Sequence, residues 1–257
     1  MTSGFETTRP TPIDYLDRLA ATDAGRGYKQ RMAEVFDLRP GHTALDVGCG
    51  PGTDLLALAE AVGHTGSVVG VDHDQEMVER AARRTAAHPR VEVRRGDVHS
   101  LPLDDATADR ARTDRVLQHV EDPSGALAEI HRVLRPGGRL VMGEPDWDTL
   151  AIDHPDLEVS RAYTRHIVER VVRNAAIGRQ LARLAARAGF GVPEVVPVTQ
   201  IFRDVRAADK ILGLERTTRR AVRAGYLTSD QARRWLDHLA HGPFLASVTL
   251  HIVVADV

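Results

Sequence analysis

The segment Leu45-Asp-Val-Gly-Cys-Gly-Pro-Gly52 sets three glycines at alternating positions behind an apolar run, with an acid, Asp46, just ahead of them. Glycine tolerates positive φ and lets a ligand lie against bare backbone. A helical pattern follows from about Thr53, so the loop leads to the unpaired N–H groups of a helix start. Two ligand classes compete for such a loop. A dinucleotide fingerprint needs G-x-G-x-x-G. Gly48 and Gly50 satisfy it, but Thr53 stands at the third glycine position and Gly52 comes one place early. Asp46 would repel a pyrophosphate and suits a ligand with a positive centre, such as an amino group or a sulfonium. Asp72 closes Gly70-Val-Asp72, twenty residues after Gly52, where a carboxylate can accept both hydroxyls of a ribose. Asp97, in Arg95-Gly-Asp-Val98, can accept the exocyclic amine of an adenine. Three acids at three successive strand ends point to an adenosine-containing ligand.

The elements that carry these residues follow a rhythm. Thr43–Val47, Ser67–Val71, Val91–Val93, Asp109–Thr113 and Arg139–Gly143 read as strands, with helices between them. The fourth is placed by that rhythm, because Arg110 and Arg112 break its apolar pattern. The helix after Asp122-Pro123 carries Leu127, Ile130 and Leu134 on one face and closes at Pro136-Gly-Gly138. Five alternations of strand and helix predict a parallel sheet with helices on both faces, its ligands at the carboxyl ends of the strands. After Pro145 the rhythm stops. Asp156–Asn174 and Gly178–Ala188 read as helices, Val192–Phe202 and Phe244–Val254 as strands, and Ala207–His241 as two helices around Gly225. The expected fold is α/β: a Rossmann-like, seven-stranded, mostly parallel sheet. Residues 1–37 form N-terminal helices over the ligand site. Residues 38–257 form the main domain, with helical cap insertions at about 147–177 and 204–242.

Taken together, Leu38-Arg-Pro-Gly41, Asp46-Val-Gly-Cys-Gly-Pro-Gly52, Gly70-Val-Asp72, Gly96-Asp97, Leu117-Gln-His-Val120 with Asp122-Pro123, and Arg132-Val-Leu-Arg-Pro-Gly-Gly138 resemble the class I S-adenosylmethionine-dependent methyltransferases. The closer resemblance is to the small-molecule branch that includes the ubiquinone/menaquinone methyltransferases. It implies that S-adenosylmethionine is the cofactor and S-adenosylhomocysteine its product. It also implies that Asp46, Gly48 and Gly50 hold the methionine part, Asp72 the ribose, Asp97 and Val98 the adenine edge, and that Met77 lies near the adenine face. Cys49 packs within the loop, and His73 follows Asp72 into the same site.

Methyl transfer from a sulfonium needs the acceptor held in line at near-attack distance. A general base helps only where the acceptor must lose a proton. His119, after the fourth strand, has the pKa range for that base. Arg115 is placed at the donor site, Gln118 and Trp147 at the acceptor, and Tyr163 and His166 on the cap helix facing it. Tyr15, Tyr28 and Arg31 belong to the N-terminal helices, and Arg31 is the choice for the donor's carboxylate. No metal is expected, since His73/Asp74 and His238/His241 lack further ligands at suitable spacing.

A net charge of -2, from 34 basic and 36 acidic residues, leaves no global basic field for nucleic acid. No run of about 20 apolar residues would span a membrane. One cysteine, Cys49, allows no internal disulfide and fits a cytoplasmic setting. The expected partner is a small-molecule acceptor, with a homodimer possible. An alternative on the same fold is a donor-binding scaffold or cyclase that transfers no methyl. A nicotinamide-dependent dehydrogenase is disfavoured by Gly52 and Asp46.

Overall fold

A computed structural model describes residues 22–257, with Phe5, Thr11, Ile13, Asp14, Asp17 and Arg18 ahead of them. Tyr15 and most of the N-terminal tail lie outside the described residues. Helix α1 (Asp23–Phe36) starts at Thr22, whose hydroxyl accepts from Gly25 N, and leads to β1 (Thr43–Val47). Then follow α2 (Leu55–Val62), β2 (Ser67–Asp72), α3 (Gln75–Thr85), β3 (Val91–Arg95), β4 (Ala108–Asp114) and α4 (Pro123–Val133). Asp122 caps α4 and Pro123 opens it, a favoured start for a helix.

Among the described residues the seven strands form one sheet in the order β3-β2-β1-β4-β5-β7-β6. The first five pair in parallel, and β7 (Ala246–Asp256) runs antiparallel to both β5 (Leu134–Ile152) and β6 (Gly191–Phe202). The order reverses at β1, between β2 and β4, which is where such sheets hold ligands. On one face Tyr28, Met32, Val35 and Phe36 of α1 pack with α2 against Val141, Leu250, Ile252 and Val254. The close seat of α1 needs Gly143, because a Cβ there would lie 2.6 Å from Met32 Sδ. The other face is covered by α4 and by α6 (Ile177–Arg187).

The structure departs from the sequence expectation after Gly143. β5 continues to Ile152, so Trp147–Ile152 extend the sheet where the first insertion was expected to begin. Pro145 does not stop it. Gly143 O accepts from Arg115 N, so residues 143 and 145 turn their backbone polar groups toward β4, which has ended at Asp114. The missing N–H of Pro145 therefore costs no ladder bond. Helix α5 (Leu157–His166) gives way to a π-helical turn, Ile167–Val171, before the expected end at Asn174. Three helices, α7 (Val205–Leu212), α8 (Leu214–Arg223) and α9 (Ser229–His241), stand where two were expected. They break at Gly213, in the left-handed region, and again at Gly225. These helices and α5 enclose a second core with Trp147, Leu150, Tyr163, Phe202, Trp235 and Val248, built on the far ends of β5, β6 and β7. The cap thus stands at the sheet end where β1 and β4 also finish.

Candidate active site

Asp46 of β1 and Arg112 of β4 are registered neighbours, both buried, with Arg112 Nε donating to Asp46 Oδ1 at 2.9 Å. They point to the face covered by α1 and α2 and form the floor of an open cleft. Its walls are Tyr28 and Lys29 of α1, the loop Gly48–Pro51 with Thr53 and Asp54, and Asp114 and Arg115 at the end of β4. Gly48, Gly50 and Gly52 all have positive φ (71°, 54° and 74°), and a Cβ on Gly48 would run into Val116. The bare loop therefore follows from both its conformation and its packing.

Charge inside the cleft is balanced. Arg112 and Lys29 both bond the Asp54 carboxylate, and Lys29 Nζ also lies 3.2 Å from Asp114 Oδ2. Tyr28 donates its hydroxyl to Asp114 at 3.1 Å, and the Arg115 guanidinium sits 5.6 Å from the centre of the Tyr28 ring. Asp54 occupies the N-cap position of α2, yet its carboxylate caps no helix N–H and turns to the cations instead. Burial alone would raise Asp54, but Arg112 and Lys29 outweigh it and hold the carboxyl far below its ordinary range. For Asp46 the balance tips the other way: burial exceeds the pull of Arg112 and raises its pKa. Burial would lower Lys29, but Asp114 and Asp54 together raise it above the ordinary lysine value. Lys29 and Arg112 thus stay cationic at neutral pH.

The other two acids lie one and two strands along. Asp72 is buried and accepts from Gly50 N at 2.8 Å and from Asp74 N at 3.0 Å, which ties β2 to the glycine loop. Asp97 is exposed, and its Oδ1 takes both the backbone N–H and the imidazole of His99, which hold its pKa down. Val98 beside it is half-buried against the core. Cys49 is buried against Gly70, and burial pushes its thiol well up, so it packs rather than reacts.

Glu144, fully buried on β5, organises the turn after β4. Its carboxylate accepts from the N–H groups of Val116 (2.7 Å), Leu117 (2.6 Å) and Gln118 (3.3 Å). Burial raises its pKa to about 8, against these donors, which favour the charged form. Gln118 in turn accepts from Trp147 Nε1 at 2.8 Å. Arg115, held at φ +59°, reaches across to Gln200 Oε1 of β6 at 3.1 Å.

Residues 45–142 match the family model of the methyltransferase domain. The chain is 65% identical over 252 residues to an uncharacterized 37.1 kDa protein in transposon TN4556 of Streptomyces fradiae, covering 98% of this chain and 73% of that protein. It is 35% identical over 139 residues to a demethylmenaquinone methyltransferase of Staphylococcus aureus, covering 54% of this chain and 58% of that protein. The crystal structure of an S-adenosylmethionine-dependent methyltransferase from Aquifex aeolicus superimposes with a TM-score of 0.55 at 26% identity, covering 74% of this chain and 92% of that one. The chain belongs to the class I S-adenosylmethionine-dependent methyltransferases.

Within this methyltransferase fold, Asp46, Gly48, Cys49, Gly50, Tyr28 and Arg115 share the cleft, with Asp72 directly behind Gly50. His73 is exposed at the end of β2, and Met77 is buried on α3. Arg31 requires correction. It turns away from the cleft to Glu34 and, at 3.2 Å, to Glu194 of β6. Lys29, Asp54, Arg112 and Asp114 are cleft residues that sequence reasoning passed over. Gln118 and Trp147 meet each other, as described. Tyr163 sits in the cap interior, its ring 5.2 Å from that of Trp235, with its hydroxyl on Leu212 O. His166 is buried beside Tyr226. His119 is exposed on the turn after β4, and its pKa lies below the ordinary value through desolvation and the nearby Arg115 charge. Among the described residues no group of three metal-ligating side chains occurs, and no helix is long and apolar enough to cross a membrane.

Proposed function

We propose that this chain binds S-adenosylmethionine in the charged cleft and transfers its methyl group to O, N or C of a small organic acceptor beneath the cap. The observation that carries the reading is the juxtaposition of a side-chain-free glycine loop with three cations and three carboxylates: Lys29, Arg112 and Arg115 against Asp46, Asp54 and Asp114. A zwitterionic amino-acid tail needs both signs at close range, whereas a dinucleotide pyrophosphate needs cations alone. The residues therefore fit the donor that the family uses. Lys29 and Arg112 would hold its carboxylate, in place of Arg31, and Asp46 would face its amino group. Asp72 would accept the ribose hydroxyls, with Asp97 and Val98 at the adenine.

The donor supplies a methyl group already activated by sulfonium charge. What is left to the chain is positioning. The turn 115–119, pinned by Glu144, would present Gln118 and Trp147 to the acceptor. His119, with its lowered pKa, is uncharged at neutral pH and able to take a proton from an acidic acceptor. Titration calorimetry with S-adenosylmethionine, S-adenosylhomocysteine and NAD tests the reading. Binding of both sulfur ligands near the micromolar range, about -8 kcal/mol, and none of NAD is the expected result. Binding of NAD alone would overturn it.

A further inference from the structure

The cap has a charge of its own. Its helices α7 to α9 with their connecting turns, residues 204–241, contain eight arginines and lysines against five aspartates and glutamates, although the whole chain is slightly acidic. Part of this excess gathers around one buried side chain. His166, the last residue of α5, is 2% exposed, and neither of its ring nitrogens has a hydrogen-bond partner among the described residues. Buried polar atoms of native folds are nearly always paired, so two unpaired nitrogens on one ring call for a missing partner. The chain turns π-helical directly after it, a local irregularity common at functional sites.

The ring packs against one aromatic side chain, and two arginine charges bear on it. The Tyr226 ring, from the turn after α8, stands 5.1 Å from the imidazole. Tyr226 accepts from Arg170 Nε at 3.3 Å and donates to Glu169 Oε2 at 2.5 Å. Arg220, in the last turn of α8, is exposed and makes no ion pair among the described residues, and its charge bears on His166 together with that of Arg170. Burial first, then Arg220 and Arg170, hold the imidazole below its ordinary pKa. The Glu169 carboxylate at the cluster is already occupied by Tyr226.

We propose that His166, Arg170, Arg220 and Tyr226 form a binding site for an oxyanion, a phosphate or diphosphate group carried by a small molecule. Two guanidiniums supply the fork geometry that suits phosphate oxygens. The imidazole N–H completes the donor set, while the Tyr226 hydroxyl, whose proton goes to Glu169, accepts from Arg170 Nε and holds that side chain in place. An anion seated there gives the orphaned nitrogens the partner they lack and favours the protonated ring, reversing the effect of the two arginines. Assigning the anion to the methyl acceptor rests on the methyltransferase reading, because the site belongs to the cap over the donor end of the sheet. The oxyanion site itself does not depend on that reading.

The test is a proton NMR titration of the histidine C–H resonances of the full chain, with His166 assigned by its loss in His166→Gln. The titration is run with pyrophosphate and with sodium chloride at equal ionic strength. Pyrophosphate is expected to raise the His166 pKa by about one pH unit, while chloride leaves it in place. Arg170→Gln and Arg220→Gln, both at exposed positions, should each weaken pyrophosphate binding roughly tenfold. An equal response to chloride and pyrophosphate, or unchanged affinity in both arginine variants, would overturn the site. If pyrophosphate binds as expected but a bound phosphate does not compete with any methyl acceptor, the site stands and its assignment to the acceptor fails.

Discussion

Arg112 and Asp46 form a buried ion pair across registered positions of β4 and β1, 2.9 Å apart on the floor of the cleft. Such a pair gains little over a hydrophobic one, but breaking it strands a charge. Arg112→Met should therefore cost about 3–5 kcal/mol at pH 7, while Asp46→Leu with Arg112→Met should cost much less. The sign with pH follows. Without Arg112, burial raises Asp46 further above its unfolded value, so the folded state takes up a proton more readily and the deficit shrinks as pH falls toward 5. Urea denaturation of the single and double variants at two pH values measures both effects. Additive losses in the double variant would show that the two charges are uncoupled.

Asp54 occupies Lys29 and Arg112, the cation pair proposed to hold the donor's carboxylate. It makes no helix cap, so Asp54→Asn removes a competitor at small cost to α2. Affinity for S-adenosylmethionine should rise, by about threefold to tenfold, and the gain should shrink in high salt. Lys29→Met and Asp46→Ala should weaken it. Calorimetry of the three variants decides the matter. Weaker binding by Asp54→Asn would make that residue a support for Arg112 rather than a rival of the ligand.

Glu144 has its carboxyl raised to about 8 by burial, well above an unfolded glutamate. A group raised on folding stabilises below its unfolded pKa, and that contribution is lost as pH rises through the folded value. Stability should thus fall between about pH 4.5 and 8 by an amount that Glu144→Gln abolishes. The amide oxygen of the variant still accepts from Val116 and Leu117, so the turn survives. Glu144→Ala leaves buried N–H groups unmet at about 1–3 kcal/mol each and should speed amide exchange at residues 116–118. Thermal denaturation across pH, with hydrogen exchange on both variants, tests this. A wild-type profile in Glu144→Gln would assign the pH dependence elsewhere.

The glycine loop, the acids at three strand ends and the strand-helix rhythm were readable because each is written in consecutive residues. The cleft's charges were not. Arg112 looked like a flaw in a strand because its partner, Asp46, lies 66 residues away, and the pair appears only when β1 and β4 come into register. Arg31 was named and Lys29 passed over for the same reason of geometry. Two residues apart on a helix means about 200° of rotation, so only one of them can face the loop. Tyr28 fixes which face that is, but only the packing of Met32 into Gly143 reveals it. β5 outran its expected end because Pro145 reads as a stop until β4 is known to have finished beside it.

Trp147 and Gln118 give the acceptor side its most direct test. The indole N–H on Gln118 Oε1 is a buried bond between the extension of β5 and the Glu144-held turn. Trp147→Phe keeps most of the apolar volume and removes that bond, which should cost about 1–2 kcal/mol of stability. The cleft proposed for the donor includes neither residue. S-adenosylmethionine affinity should therefore stay within a factor of about two, while kcat/KM for the methyl acceptor falls by roughly tenfold or more through lost positioning. Calorimetry with the donor beside steady-state kinetics with the acceptor separates the two effects. A parallel loss of donor binding would mean that this pair shapes the donor cleft, and that the acceptor contacts lie elsewhere under the cap.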